Sequence, residues 1–319
     1  MSVSAPPGSE DTPSVAAEAP RPRKRPVRRR AVRKGFSGPL YLEHFGLSEA
    51  PFGITPDTDF IFGTSSHQEG LNTLLIALKS GEGFIKITGE VGTGKTLLCR
   101  RLLQAIADDC LTAYLPNPAI TPQTLLRSVA DELGLDLPPD DDAYALLKSL
   151  NDTLLNSARQ DKPVVILIDE AQAIPIESLE ALRLLSNLET EKRKLVHIVL
   201  FGQPELDQHL ANPAIRQLRQ RIAFAHRLEG MSRGELRAYL SHRMRQAGLA
   251  AGEVFSDEAV ADLYRASRGT PRLINILANK CLLAVFGEGE QMVRRKHVRA
   301  AVRDTEGAYR PWLWWWGKS

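Results

Sequence analysis

The sequence has few cysteines and lacks a long apolar run, and these two shortages exclude several classes of protein. Its 319 residues include only three cysteines, Cys99, Cys110 and Cys281, and their spacing is not that of metal ligands. We therefore expect neither a disulfide framework nor a zinc site, and we expect buried thiols in a reducing compartment. No apolar run reaches the roughly 18 residues that a membrane-spanning helix needs, and no secretory signal is visible. The expected location is the cytoplasm.

Excess positive charge is confined to the first part of the chain. The formal net charge is +3, and residues 1–36 hold nine of the 41 Lys and Arg but only three of the 38 Asp and Glu. Residues 1–37 also lack the large apolar residues that a core needs, so we predict a disordered basic N-terminal arm. Such an arm could bind nucleic acid or an anionic membrane surface, or it could be a solubilising tail without a specific partner.

A glycine-rich stretch fits the G-x-x-x-x-G-K-[ST] pattern of a phosphate-binding loop. Its residues are Gly89, Glu90, Val91, Gly92, Thr93, Gly94, Lys95 and Thr96. An apolar run at 83–88 predicts a buried strand before it, and the apolar spacing of 97–103 predicts a helix after it. In this arrangement, backbone N–H groups at a helix N-terminus surround a polyphosphate. Lys95 would reach the β- and γ-phosphates and the Thr96 hydroxyl would hold Mg²⁺, so the sequence predicts binding of a nucleoside triphosphate.

A pair of acidic residues follows a continuous apolar run. The run at 164–168 is β-branched and aliphatic, which predicts a strand buried on both faces of a parallel sheet. An acid at the end of such a strand can hold the Mg²⁺ shell, and Asp169 is the candidate. Glu170 could orient or deprotonate the attacking water. Gln203 follows the apolar run at 195–201, where it could sense the γ-phosphate or simply open a turn.

Arginines precede the last predicted strand, at Arg216, Arg219 and Arg221. Some are expected to be solvated helix charges, but an oligomeric ATPase presents an arginine finger to its neighbour from this position. Such a finger stabilises charge in the transition state and is worth on the order of 10³-fold or more in rate. We favour Arg221 for this role and keep Arg219 as the alternative. Arg272 follows Pro271 at the start of a later helix, from which it could reach the nucleotide phosphates.

The order of predicted elements divides the chain into an α/β part and a helical part. Strands alternate with helices over 38–230, which predicts a parallel sheet with helices on both faces. This part ends with one helix at 204–220 and a last strand at 222–224. From 231 to 306 we predict an all-α domain with helices at 232–247, 256–267, 271–286 and 295–304. Residues 307–319 form a tail with all four tryptophans, which could dock on a partner or a membrane interface, or fold back on the body.

The assembled motifs resemble the AAA+ ATPases, in particular the ExeA/GspA-like family of secretion and pilus ATPases. The resemblance covers roughly residues 40–305 and rests on long motifs as well as the phosphate-binding loop. They are Tyr41–Leu47, Ser66–Glu69, Leu167–Gln172, Leu182–Thr190, Phe201–Leu206 and Ser267–Asn275. The resemblance implies a RecA-like ASCE P-loop core followed by an all-α AAA+ lid, and ATP hydrolysis with Mg²⁺. It also implies that Lys95 and Thr96 act in Walker A, Asp169 and Glu170 in Walker B, Gln203 as sensor 1 and Arg272 as sensor 2.

Three functions follow from these observations. The first is a homo-oligomeric ATPase that assists assembly of a type IV pilus or type II secretion machine, with the arm and tail bound to the inner membrane face or to an envelope-assembly protein. The second is a DNA-associated ATPase, like transposition and origin-recognition proteins, whose arm contacts phosphates without reading sequence. The third is a non-hydrolysing nucleotide switch or scaffold. The first is favoured, since the helical part has no evident DNA-reading element and Glu170 supplies a catalytic acid.

Overall fold

The computed structural model describes residues 39–53, 62–138, 142–188 and 194–310. The predictions for the basic arm at 1–37 and for the tryptophans at 312–316 lie outside these residues. Among the described residues, no helix combines the length and the apolar character that crossing a bilayer requires.

A five-stranded parallel sheet forms the centre of the α/β part. Its strands are β1 (Phe84–Gly89), β2 (Leu111–Leu115), β3 (Val164–Ile168), β4 (Val196–Gly202) and β5 (Ile222–Leu228), in the order β2-β3-β4-β1-β5. β4 therefore lies between the strand before the phosphate-binding loop and the strand before Asp169. This insertion is the arrangement expected of an ASCE core, so the predicted fold class is confirmed.

Helices flank the sheet and continue into the C-terminal part of the chain. In the α/β part they are α2 (Ser65–Lys79), α3 (Lys95–Ile106), α4 (Pro122–Glu132), α5 (Ala143–Arg159), α6 (Ile176–Leu185), α7 (Glu205–Leu210) and α8 (Arg216–Gln220), and a short helix α1 (Leu42–Phe45) precedes them. The C-terminal helices are α9 (Arg233–Gln246), α10 (Asp257–Ser267), α11 (Pro271–Glu288) and α12 (Arg295–Arg303). These four agree with the predicted helices to within two residues at each end.

Both faces of the central strands are covered, as is typical of a parallel sheet. All five residues of β3 and all seven of β4 are buried. One face packs against α4, α5 and α6 through a cluster that includes Leu125, Leu150 and Ile166. The other face packs against α2 and α3 through a cluster that includes Leu74 and Leu98. Because neither face of β3 and β4 meets water, these central strands are continuous apolar runs, whereas β5 at the sheet edge alternates between partly buried and exposed residues.

The predicted helix at 204–220 is wrong, because this segment is broken into shorter pieces. α7 ends at Leu210, a 3-10 turn covers Pro213–Ile215, and α8 follows. The Asn212 side chain accepts a hydrogen bond from the N–H of Ala214, and Pro213 has no N–H to continue a helix. The next strand is also longer than predicted, since β5 continues to Leu228. The sequence signal for the break was the Asn-Pro pair.

The C-terminal helices have their own hydrophobic cluster, and the start of the described chain packs into it. The cluster includes Leu240, Leu263 and Leu277 together with the N-terminal Tyr41 and Phe52. Tyr41 also donates a hydrogen bond to the Asn279 side chain, at 2.5 Å. The position of the domain boundary near residue 230 remains a prediction.

Glu235 joins the first C-terminal helix to the α/β part. Its carboxylate accepts hydrogen bonds from the N–H and hydroxyl of Ser65, each at 2.8 Å, and from the N–H of Ser232, also at 2.8 Å. Ser232 in turn caps α9 through the N–H of Glu235, which completes a capping box. Partial burial favours a higher pKa, but these hydrogen bonds outweigh it and lower the pKa of Glu235 from 4.5 to about 2.

We expect this carboxylate to make stability depend on pH in the acid range. Because its pKa is lower in the folded state, its contribution is complete above pH 4.5 and is lost as the pH falls toward 2. After allowance for solvent screening, the contribution is about 1 kcal/mol. Glu235→Gln should therefore lower the free energy of unfolding at pH 7 by about this amount and flatten its acid slope, as measured by urea unfolding from pH 7 to 3. Glu49→Gln, at an exposed carboxylate, is the control, and an equal slope in both variants would contradict this assignment.

Candidate nucleotide-binding site

The glycine-rich stretch forms the turn between β1 and α3, as its pattern predicts. β1 ends at Gly89 and α3 begins at Lys95. Gly92 has a φ of 82° and Gly94 a φ of 96°, a region that side chains with a Cβ rarely adopt. A Cβ at Gly94 would also lie 2.5 Å from Nε2 of the buried His67. These glycines let the backbone turn tightly at the α3 N-terminus, a geometry that suits a polyphosphate.

Lys95 lies inside the turn of this loop. Its ammonium donates to the carbonyl of Gly89 at 2.8 Å and to the carbonyl of Glu90 at 3.2 Å. Its side chain is buried. Burial lowers the pKa of Lys95, and nearby carboxylates, with Glu170 and Asp169 the strongest, oppose the shift. The loop thus holds a buried cation beside its backbone N–H groups, which favours an anionic ligand.

Thr96 and Asp169 bring two oxygen groups together from different elements. The Thr96 hydroxyl, in the first turn of α3, donates to Oδ2 of Asp169 at 2.6 Å. Asp169 follows β3, and its Oδ1 accepts the N–H of Glu170 at 2.9 Å. A hydroxyl and a carboxylate are hard oxygen ligands of the kind that Mg²⁺ prefers. The donor set therefore fits Mg²⁺, and these two residues would hold the ion or its water ligands.

Tyr114, on the neighbouring strand β2, also faces this carboxylate. Burial, reinforced by the charge of Asp169 and a hydrogen bond to it, raises the pKa of Tyr114 to about 12. The phenol therefore stays protonated and can donate to Asp169 across the working pH range. Sequence reasoning did not identify Tyr114, although the polar group near the carboxyl end of a strand beside β3 was a usable signal.

Glu170 is held by two side-chain amides. Its Oε2 accepts a hydrogen bond from Nε2 of Gln172 at 2.6 Å and from Nε2 of Gln203 at 3.1 Å. Partial burial favours a higher pKa, but these hydrogen bonds and the charge of Lys95 outweigh it and lower the pKa of Glu170. The carboxylate is therefore ionised at neutral pH and can accept a proton. The structure brings Glu170 and Gln203 together, and it adds Gln172.

The backbone of Arg272 contacts the phosphate-binding loop. Its N–H, in the first turn of α11, donates to the carbonyl of Gly92 at 3.3 Å. A Cβ at Gly92 would lie 2.5 Å from the Cβ of Arg272, so glycine is required for this close approach. The Arg272 side chain is exposed. The N-terminus of α11 is therefore adjacent to the loop, in the position from which the predicted sensor would act.

The candidate finger residues lie near the end of α8. Arg221 is half-buried, and its Nη1 donates to the hydroxyl of Ser186 at 3.1 Å, just beyond the end of α6. Arg216 and Arg219 are exposed. Within the described residues, none of the three hydrogen-bonds to the phosphate-binding loop.

Comparison with known proteins supports the nucleotide-binding interpretation. Residues 78–210, which include the glycine-rich loop and Asp169, match the family described as an AAA domain. Over 268 residues the chain is 39% identical to general secretion pathway protein A of Aeromonas hydrophila. The alignment covers 84% of this chain and 49% of the relative, so the chain spans about half the length of that protein.

Solved structures of AAA proteins share the fold. Cdc6p of Pyrobaculum aerophilum superposes with a TM-score of 0.59 and 19% identity, over 80% of this chain and 73% of that one. The ORC2 protein of Aeropyrum pernix gives a TM-score of 0.56 and 20% identity, over 84% of this chain and 76% of that one. At these identities the likeness concerns the fold alone. Residues 78–210 therefore resemble an AAA domain, and most of the chain is similar to general secretion pathway protein A.

Proposed function

We propose that this chain is an AAA+ ATPase that binds ATP with Mg²⁺, hydrolyses it and oligomerises to assist assembly of an envelope machine. The observation that carries the catalytic part is the convergence of Lys95, Thr96, Asp169 and Glu170 at one end of the sheet. The similarity to general secretion pathway protein A supports a type II secretion machine as the target. Assembly of a type IV pilus, such as an MSHA-like pilus served by an MshM-type protein, is the related alternative.

In this proposal each residue would have a part in hydrolysis. Backbone N–H groups of the loop and the Lys95 ammonium would hold the phosphates, and Mg²⁺ at Thr96 and Asp169 would neutralise phosphate charge. The water oxygen forms a bond to the γ-phosphorus while the bond from that phosphorus to the β–γ bridging oxygen breaks. The bonding electrons leave with ADP, and the water proton passes to the ionised carboxylate of Glu170 and then to solvent. Gln203 and Arg272 would sense the γ-phosphate.

Oligomerisation would complete the site. We propose that Arg221, or Arg219 in its place, reaches the γ-phosphate held by the neighbouring subunit and stabilises the transition-state charge. The hydrogen bond from Arg221 to the Ser186 hydroxyl would have to be maintained or exchanged as the subunits meet. This role predicts that turnover per subunit rises with protein concentration.

The second candidate function is DNA-associated ATP hydrolysis, and the basic residues at 1–36 favour it. Nine Lys and Arg within this stretch would bind phosphates with a strong dependence on salt. An anionic membrane surface offers similar charge, and the tryptophans at 312–316 would add affinity for an interface only there. The two candidates therefore differ in which polyanion stimulates the enzyme.

The test is the ATPase rate against protein concentration, with anionic vesicles or with duplex DNA. We expect the rate per subunit to rise with concentration, and vesicles to stimulate it several-fold through local concentration of subunits. Deletion of residues 1–36 should remove the stimulation and leave the basal rate. Stimulation by DNA and not by vesicles would contradict the envelope proposal, and a rate independent of concentration would contradict the shared site.

A further inference from the structure

Gln172 lies two residues after Glu170, in the 3-10 turn Ala171–Ala173. Both the nitrogen and the oxygen of its side-chain amide form hydrogen bonds. Its Nε2 donates to Oε2 of Glu170 at 2.6 Å. Its Oε1 accepts the N–H of Gln203 at 2.9 Å. The Gln203 side chain closes the ring by donating to the same Oε2 at 3.1 Å. The three residues therefore form one closed hydrogen-bond circuit that joins the ends of β3 and β4.

The backbone around this circuit is shaped to permit it. Glu170 has a φ of 51°, in the left-handed region, which is strained for a residue with a Cβ. Gly202 leaves room beside the amide, since a Cβ there would lie 3.3 Å from Oε1 of Gln172 and 2.7 Å from Leu206 Cδ2. A strained conformation persists only where its surroundings hold it in place. The circuit is the interaction that fixes the Glu170 side chain.

The circuit engages only one of the two carboxylate oxygens. Both amides donate to Oε2, and within the described part of the chain Oε1 accepts no hydrogen bond. One oxygen is thus anchored and the other is available to a water molecule. A base that must take a proton in a defined direction benefits from this division, because a displacement of about 1 Å can cost on the order of 10² in rate.

We propose that Gln172 is a positioning residue that couples Gln203 to Glu170. This inference rests on the proposed ATPase function. When Gln203 and the end of β4 respond to the γ-phosphate, the bond from the Gln203 N–H to Gln172 carries that movement to the carboxylate. β4 pairs with both β1 and β3, so its end is connected to the loop strand as well as to the Walker B strand. Through Gln172, the orientation of the Glu170 carboxylate thereby depends on the nucleotide state.

The experiment measures kcat and ATP affinity for Gln172→Met, Gln203→Met and the double variant. Methionine keeps the length of the side chain and removes its hydrogen bonds. We expect Gln172→Met to lower kcat about tenfold and to leave the Kd for ATP within about twofold, because positioning affects only the reaction. Gln203→Met also removes the group proposed to sense the γ-phosphate, so it should lower kcat at least as much. The double variant should lose much less than the product of the single losses, since either change opens the same circuit. Gln246→Met, at an exposed position on α9, is the matched control.

Gln172→Glu is a second variant that separates loss of positioning from loss of folding. It keeps the size and polarity of the side chain, but an ionised carboxylate cannot donate to Glu170, so the same loss of kcat is expected with cooperative thermal unfolding retained. Wild-type kcat in Gln172→Met and Gln172→Glu, or multiplicative losses in the double variant, would overturn the coupling while leaving the ATPase function intact. Absence of hydrolysis by the wild-type protein would overturn the function first.

Discussion

Replacement of Lys95 by alanine should abolish ATP binding at micromolar nucleotide while leaving the fold intact. The ammonium is the buried cation inside the loop, held by the carbonyls of Gly89 and Glu90. Hydrogen bonds to charged groups contribute about 1.5–3 kcal/mol each, and about 1.4 kcal/mol corresponds to tenfold in affinity. Loss of contacts to two phosphates should therefore weaken ATP binding by about a hundredfold or more. Titration calorimetry with a slowly hydrolysed ATP analogue and Mg²⁺ measures the change.

A surface lysine separates this effect from the general loss of one positive charge. Lys148 is exposed on α5, and Lys148→Ala should bind nucleotide as the wild type does. Because Lys95 is buried, thermal unfolding must also be compared, and the Lys95→Ala variant should still unfold cooperatively. Equal nucleotide affinity in the wild type and the Lys95→Ala variant would show that this loop is not the binding site.

The fold and the centre of the site were predictable because they depend on local patterns. The apolar runs before Gly89 and Asp169 each predict a buried parallel strand, and their carboxyl ends meet at one edge of the sheet. That juxtaposition brings Thr96 and Asp169 into contact without any information beyond the motifs. The first C-terminal helix also begins with a local signal, since Ser232 and Glu235 form a capping box.

Contacts between distant segments were not predictable in the same way. The placement of Tyr41 among the C-terminal helices depends on long-range packing that a single sequence does not encode in any spacing. Gln172 belongs to a recognisable motif, but its partner Gln203 is 31 residues away and is reached only because β3 and β4 are neighbours. The hydrogen bond between Arg221 and Ser186 depends in the same way on how α6 and α8 pack.

Replacement of Glu170 by glutamine should stop turnover while preserving ATP binding. A glutamine at this position keeps an oxygen that can accept from Gln172 and Gln203, so the circuit and the fold should survive. It removes the ionised carboxylate that accepts the proton, and general-base catalysis contributes about 10²–10⁴ in rate. We expect kcat to fall by that range with the Kd for ATP changed by less than about threefold. Phosphate release under steady-state conditions, together with the calorimetric titration, measures both quantities.

The same variant tests whether the site is shared between subunits. A Glu170→Gln subunit has an intact Arg221, whereas an Arg221→Ala subunit has an intact Glu170. In a mixed oligomer the first can supply its arginine to the site of the second, so mixing two nearly inactive proteins should restore part of the turnover. An arginine that acts within its own chain gives no such recovery at any mixing ratio. If turnover is restored with Arg219→Ala and not with Arg221→Ala, the arginine finger is Arg219. The site would still be shared between subunits.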